Sequence, residues 1–180
     1  IRSALLYLSN QPRVFRFVRH NRLAKGFASR FVAGETAAEA IEAVAALNAR
    51  GIRASLDLLG ESVTNEAEAR ETGRQYVDLL ARIRARKLDA NVSVKLTALG
   101  QDVAEDVCVD VITTVLDRAR DDGNFVRLDM ESSAYTQRTL DLFYGTLYPA
   151  FREHVGIVLQ SYLYRTDDDI AKANAAGCRV

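Results

Sequence analysis

The sequence has 180 residues, 48% of them apolar, and its 24 basic residues balance its 24 acidic ones. A chain of this length and apolar content can bury a core, which excludes a disordered tail or a disulfide-stapled mini-protein. The charge balance provides no overall positive field for nucleic acid. No apolar run has the roughly 18 to 20 residues that a membrane-spanning helix needs. We therefore expect a soluble protein, at most peripheral to a membrane.

The two cysteines, Cys108 and Cys178, lie far apart and form neither a zinc-binding spacing nor a disulfide framework. A reduced, cytoplasmic setting is the simplest expectation.

The first part of the chain is strongly basic, because seven arginines and lysines precede Glu35 and no acidic residue does. Organelle transit peptides have a similar composition. However, Val14, Phe15, Phe17 and Val18 occur among the arginines at helical spacing, which favours an amphipathic arm that covers a neighbouring core. The sequence thus predicts a basic helical arm over residues 1–29 and a separate domain over 30–180.

From residue 30 onward, short β-rich runs alternate with longer helical runs, which indicates βα units and a parallel sheet. Capping residues predict helix starts at Thr36, Asn65 and Thr166. The three aspartates that follow Thr166 complement the dipole of a helix, so we expect no metal site there. The strand candidates are 30–32, 52–59, 91–99, 125–130, 155–162 and a last one that begins at Cys178.

Repeated βα units occur in closed (βα)8 barrels and in open doubly wound sheets. No glycine-rich phosphate loop follows any strand, which favours the barrel. Polar residues recur near the ends of successive strands, where a barrel gathers its catalytic groups; they are Asp57, Lys95, Asp129, Glu131 and Gln160. The sequence predicts a TIM-type barrel that is incomplete, with about five to six βα units, and truncated before its last strands.

Lys95 is the first candidate for chemistry, because the alternation places its ammonium on the face opposite Val94 and Leu96. A buried lysine needs a partner. One interpretation is an ion pair with Asp57, Asp129 or Glu131 that fills a barrel layer. The other is a cation that faces a bound anion, or a lysine desolvated for Schiff-base chemistry.

Arg127, Asp129 and Glu131 alternate with Leu128 and Met130, so we expect the three charges to share one face of the strand. A row of three charges in an interior strand is hard to explain by packing alone. The histidines, His20 and His154, lie far from these strands in the pattern, and we expect both at the surface. No G-x-S-x-G motif indicates a nucleophilic serine.

Five ordered blocks of this sequence resemble bacterial monofunctional proline dehydrogenase. They are RFVAGE at 30–35, LDLLGE at 56–61, SVKLT at 93–97 with LG at 99–100, RLDME at 127–131 and VLQSYLYR at 158–165. The resemblance spans roughly residues 30 to 180, in order and with the family's intervening lengths. No single block would be specific, but the ordered set is.

The resemblance implies a distorted (βα)8 barrel that binds FAD without a Rossmann motif. It also implies oxidation of L-proline to 1-pyrroline-5-carboxylate, with electrons passed to a quinone acceptor. By the same resemblance, Lys95 would hold the substrate carboxylate and Asp129 would order the polar site as a catalytic residue. Met130 and Gln160 would contact the flavin.

Two features of the family are missing from these 180 residues. One is an R-L-V-K-G-A-Y-like block with a flavin-contacting arginine, and the other is a late helix whose paired arginines clamp the substrate carboxylate. We therefore expect this chain to be a fragment that is inactive alone and binds flavin poorly. Two alternatives remain at this stage: a lyase or aldolase barrel that forms an imine on Lys95, and a non-catalytic half-barrel that serves as a binding module.

Overall fold

The computed structural model describes residues 33–60 and 63–180. The predicted arm, 1–29, and the strand candidate at 30–32 lie outside the described residues. The described residues divide into two compact units, with 33–46 in the first and 47–180 in the second. Helix α1, Ala37–Asn48, begins as its capping box predicts, because the Thr36 hydroxyl accepts from the Glu39 amide at 3.3 Å. The Glu39 carboxylate in turn accepts from the Thr36 amide at 3.1 Å.

Residues 47–180 form a four-stranded parallel sheet whose strands follow one another in chain order. Each connection between strands contains helix, as parallel pairing requires. The strands are β1 Ala54–Asp57, β2 Ala90–Val94, β3 Val126–Leu128 and β4 Val155–Ile157. The helices are α2 Glu66–Ala85, α3 Glu105–Asp121, α4 Ser133–Leu142, α5 Tyr148–Phe151 and α6 Thr166–Ala176.

The register separates the two faces of the sheet. Leu56 lies beside Val92 and Val92 beside Val126, and all three are buried among the core residues. The alternate positions carry polar groups, because Asp57 lies beside Ser93 and Ser93 beside Arg127. Helices α2 and α3 cover the apolar face, so the polar face corresponds to the interior of a barrel.

Helix α2 begins at the predicted Asn65, whose side chain accepts from the Glu68 amide at 3.0 Å. Its buried stripe follows the helical period and consists of Ala69, Gly73, Tyr76, Leu79, Leu80 and Ile83. Gly73 lies against α3, where a Cβ would come within 2.6 Å of a methyl carbon of Val111. The absent side chain therefore lets the two helices approach closely.

Four of the predicted strands were too long. The candidate at 91–99 ends at Val94, and Thr97–Leu99 forms a 3₁₀ turn that ends at Gly100, whose φ is 95°. The mostly apolar residues 96–99 resemble a strand in composition, but they are buried as a turn. The candidates at 52–59, 125–130 and 155–162 shorten in the same way to the bounds of β1, β3 and β4.

The segment after α6 lies beside β4 without forming a strand in the described residues. The Ile157 amide donates to the Arg179 carbonyl at 3.1 Å, in the position that the predicted sixth strand would take. Gly177 ends α6 with φ 69°, as a C-terminal glycine should. Gly156 leaves room for this segment, because a Cβ there would come within 2.7 Å of the Arg179 carbonyl oxygen.

Within residues 33–60 and 63–180, no helix combines the length and apolarity needed to cross a bilayer.

Candidate active site

Three charged side chains meet at the carboxyl ends of neighbouring strands. Asp57 is the last residue of β1, Lys95 directly follows β2, and Asp129 directly follows β3. The Lys95 ammonium donates to Oδ2 of Asp57, and its Nζ lies 3.4 Å from Oδ2 of Asp129. We call these three residues the lysine–carboxylate cluster. The structure thus brings the predicted site residues Lys95 and Asp129 to the same side of the sheet.

The cluster keeps its lysine charged. Burial alone would lower the pKa of Lys95, but the hydrogen bond and charge of Asp57, followed by those of Asp129, raise it overall. An ammonium has three N–H donors, of which two carboxylates can engage two. The remaining donor of a side chain that is 21% exposed can serve an anionic ligand.

A tyrosine supports the cluster from the core. The Tyr76 hydroxyl donates to Oδ1 of Asp57 at 2.9 Å and accepts from the Leu58 amide at 3.3 Å. Its side chain is fully buried, and burial, followed by the charge of Asp57, raises the pKa of Tyr76 far above its usual value. The polar residues at the strand ends did not point to Tyr76. The available signal was a tyrosine within the apolar stripe of α2, since a buried hydroxyl needs a partner.

The three charged residues that were predicted to share one face, Arg127, Asp129 and Glu131, lie in three different environments. The reason is that β3 ends at Leu128, before two of them. Asp129 joins the cluster, whereas Glu131 accepts hydrogen bonds from the Thr97 amide, at 3.1 Å, and from the Thr97 hydroxyl. Glu131 therefore holds the 3₁₀ turn that follows Lys95. Arg127 lines a cavity at the amino ends of the strands, away from the cluster.

The two residues expected to contact a flavin are joined by a hydrogen bond. Nε2 of Gln160 donates to the Met130 carbonyl at 2.8 Å, and the Met130 amide is bonded to Oδ1 of Asp129 at 2.9 Å. This connects Gln160 to the cluster through the backbone that follows β3. The Met130 side chain is only 4% exposed. Contact of either residue with a flavin stays a prediction.

His154, the histidine that the structure describes, makes no contact with the cluster there. His154 is half-buried rather than exposed, because its Nδ1 lies 2.8 Å from the Asn124 carbonyl oxygen at the amino ends of β3 and β4. His20 lies outside the described residues.

A parallel sheet whose strands follow chain order, with helical connections and a charged cluster at its carboxyl ends, is typical of (βα)-barrel proteins. Residues 40–179 match the family model described as proline dehydrogenase. The chain therefore belongs to the proline dehydrogenase family.

Two curated relatives carry the same family name. The chain is 36% identical over 173 residues to proline dehydrogenase of Deinococcus radiodurans, and the match covers 94% of this chain and 55% of the relative. It is 33% identical over 172 residues to proline dehydrogenase 1 of Bacillus subtilis subsp. natto, with 96% and 56% covered. The chain spans about half the length of these relatives.

The fold is also found in a solved structure. Proline utilization A (PutA) of Bdellovibrio bacteriovorus, inactivated by N-propargylglycine, matches with a TM-score of 0.74 and 27% identity. The match covers 86% of this chain and 20% of that chain. It confirms the predicted class of fold, an incomplete (βα)8 barrel.

Proposed function

We propose that this protein acts in proline catabolism by oxidising L-proline to 1-pyrroline-5-carboxylate with FAD and passing the electrons to a quinone. Membership of the proline dehydrogenase family implies a flavin enzyme that acts on proline. The observation that carries the proposal is the meeting of Lys95, Asp57 and Asp129 at the carboxyl ends of the strands. In barrel enzymes this end holds the chemistry.

The charges of the cluster suit an amino acid. One ammonium and two carboxylates offer both signs of charge, and a zwitterionic substrate presents one of each. Lys95 would hold the substrate carboxylate through a charge-assisted hydrogen bond. Asp129, beside it, would act as the catalytic carboxylate and order the polar site around the substrate amine.

The reaction removes a hydride from the ring carbon next to nitrogen and a proton from the amine. Bound FAD supplies the acceptor for the hydride. The polar edge of a flavin fits Gln160, because within the described residues its Oε1 receives no hydrogen bond while its Nε2 is fixed on Met130. Gln160 would orient the ring, and the backbone of Met130 would hold that amide in place. Contact with a membrane, where quinones reside, would be peripheral.

The structure disfavours imine formation on Lys95. A Schiff base requires a neutral amine, and enzymes that form one lower the pKa of the lysine. Here Asp57 and Asp129 raise the pKa of Lys95 instead. Borohydride should therefore trap no substrate on this residue.

The test is a measurement of flavin reduction in the holoenzyme of the complete gene product that contains this sequence, as the loss of its visible absorbance when L-proline is added without oxygen. We expect bleaching in the unaltered protein and a loss of at least about 100-fold in kcat/KM in Lys95→Ala and Asp129→Ala. Lys172→Ala is the matched control, because Lys172 lies over the Tyr144 ring at 4.2 Å, away from the cluster. Unchanged turnover in both cluster variants, with the fold intact, would refute the proposal and favour a non-catalytic binding module.

A further inference from the structure

Tyr76 joins helix α2 to the lysine–carboxylate cluster. In the described residues, its buried hydroxyl is the group of this helix that hydrogen-bonds to the cluster. The Leu58 amide donates to Tyr76, so the hydroxyl proton must point the other way, toward Asp57. The phenol therefore has one defined orientation. Its contact with Asp57 fixes one oxygen of that carboxylate.

The two oxygens of Asp57 perform different tasks. Oδ1 accepts from Tyr76 at 2.9 Å, while Oδ2 accepts from the Lys95 ammonium. With Oδ1 held from the core, the carboxylate cannot rotate about its Cβ–Cγ bond without breaking this part-buried hydrogen bond. The direction in which Asp57 presents Oδ2 is thus set by a residue that has no exposure of its own.

We infer that Tyr76, acting through Asp57, is a positioning residue for the Lys95 ammonium. Only the expected effect on proline binding rests on the proposed function, because the reactivity of the Lys95 amine can be measured without substrate. Loss of the phenolic hydroxyl frees Asp57 to rotate, weakens its bond to Lys95 and leaves the amine neutral more often. Lys95 would then bind a substrate carboxylate less tightly.

The experiment labels lysines in the substrate-free holoenzyme by reductive methylation and measures the rate at Lys95 by mass spectrometry, with Lys172 as internal reference. In Tyr76→Phe we expect Lys95 to react about fivefold faster, the equivalent of one ordinary hydrogen bond of about 1 kcal/mol. With proline, KM should rise by a similar factor while kcat stays within about twofold, since uniform binding is lost.

Tyr135→Phe is the matched control. Tyr135 also donates from its hydroxyl to an aspartate, Asp102, at 2.6 Å, but the ion-pair partner of Asp102 is Arg138. This variant should leave the labelling of Lys95 unchanged. An equal rise in both variants would show a general loosening and would overturn the inference.

Asp57→Asn tests the same connection without altering the buried phenol. We expect faster labelling of Lys95 there as well, and no further increase when Tyr76→Phe is added, because both changes act through one carboxylate. Fully additive effects would overturn the inference, and unchanged labelling in Asp57→Asn would overturn it even if Tyr76→Phe fails to fold. Altered labelling in a protein that does not oxidise proline would leave the inference standing and reject the proposed function.

Discussion

The two faces of helix α2 use polar groups in different ways. Its outer face carries three ion pairs within the helix, Glu66 with Arg70, Glu71 with Arg74 and Asp78 with Arg82, all with side chains between 44% and 67% exposed. Its inner face carries one polar group, the hydroxyl of Tyr76. Solvated ion pairs contribute little because water and salt compete for each charge. The single buried hydroxyl has no such competitor, so the face with fewer polar groups has the larger influence on the site.

Lys95→Met should have the largest effect on stability. The variant removes the cation that Asp57 and Asp129 share, and neighbouring like charges repel each other. The carboxylates are each 33% exposed, so water can relieve part of this cost, and we expect a loss of about 2 to 3 kcal/mol in the free energy of unfolding. Denaturant titration measures it. Adding Asp57→Asn should recover part of the loss, and no recovery would mean that repulsion is not the cause.

Gly73→Ala tests the inner face of α2 without touching a polar group. Alanine favours helix, but its Cβ would collide with Val111, so we expect a net loss of about 1 kcal/mol in the free energy of unfolding. Because the helix must move away from α3, the labelling rate of Lys95 should also rise. Gly145→Ala is the control, since a Cβ there meets nothing within 4 Å. Stabilisation by Gly73→Ala would show that the helix contact yields easily.

The pH dependence of stability should distinguish the inner face from the outer one. Burial and the charge of Asp57 raise the pKa of Tyr76 above its ordinary 10.0. Above pH 10.0 the unfolded chain releases this proton and the folded chain retains it, so stability should fall as the pH rises. The raised pKa of Lys95 acts in the same direction above 10.5. In Tyr76→Phe the alkaline decline should be less steep, as measured by unfolding at a series of pH values; an unchanged slope would argue against a buried phenol.

Arg82→Gln should have the smallest effect. Its Nε lies 2.7 Å from Oδ2 of Asp78, but the two side chains are 47% and 54% exposed. We expect a change of less than about 0.5 kcal/mol in the free energy of unfolding, which diminishes further in high salt. The alkaline slope and the labelling of Lys95 should stay as in the unaltered protein. If Arg82→Gln lowered the free energy of unfolding as much as Gly73→Ala, the outer face of α2 would matter as much to stability as the inner face, contrary to our expectation.

The sequence predicted the order of βα units and the meeting of polar strand ends, because both follow from periodicity. Lys95 and Asp129 could be placed together since parallel strands end at one edge of a sheet. Strand lengths could not be predicted, because the mostly apolar residues 96–99 suit a strand and a buried turn equally well. The turn is held in part by Glu131, which lies 34 residues further along the chain and accepts hydrogen bonds from Thr97.

Tyr76 illustrates a second limit. On the helix it occupies an ordinary core position. Its role at the site becomes visible only from the hydrogen bond between its hydroxyl and Asp57, which lies 19 residues earlier in the chain. Periodicity places a residue on a face, but it does not say which atom of another element the side chain reaches. The roles expected for Met130 and Gln160 came from a resemblance and stay predictions, although the hydrogen bond between them gives both a fixed place beside Asp129.

Gly156 has a consequence for how this protein can vary. It lies in β4 beneath the Phe125 ring, whose nearest carbon would be 2.5 Å from a Cβ at that position, and the Arg179 guanidinium stacks on the same ring at 3.9 Å. Any larger residue would push the Arg179 carbonyl away from the Ile157 amide. The hydrogen bond that holds the segment after α6 against β4 therefore depends on the absence of a side chain at Gly156. A substitution there would separate this segment from the edge of the sheet without changing the lysine–carboxylate cluster.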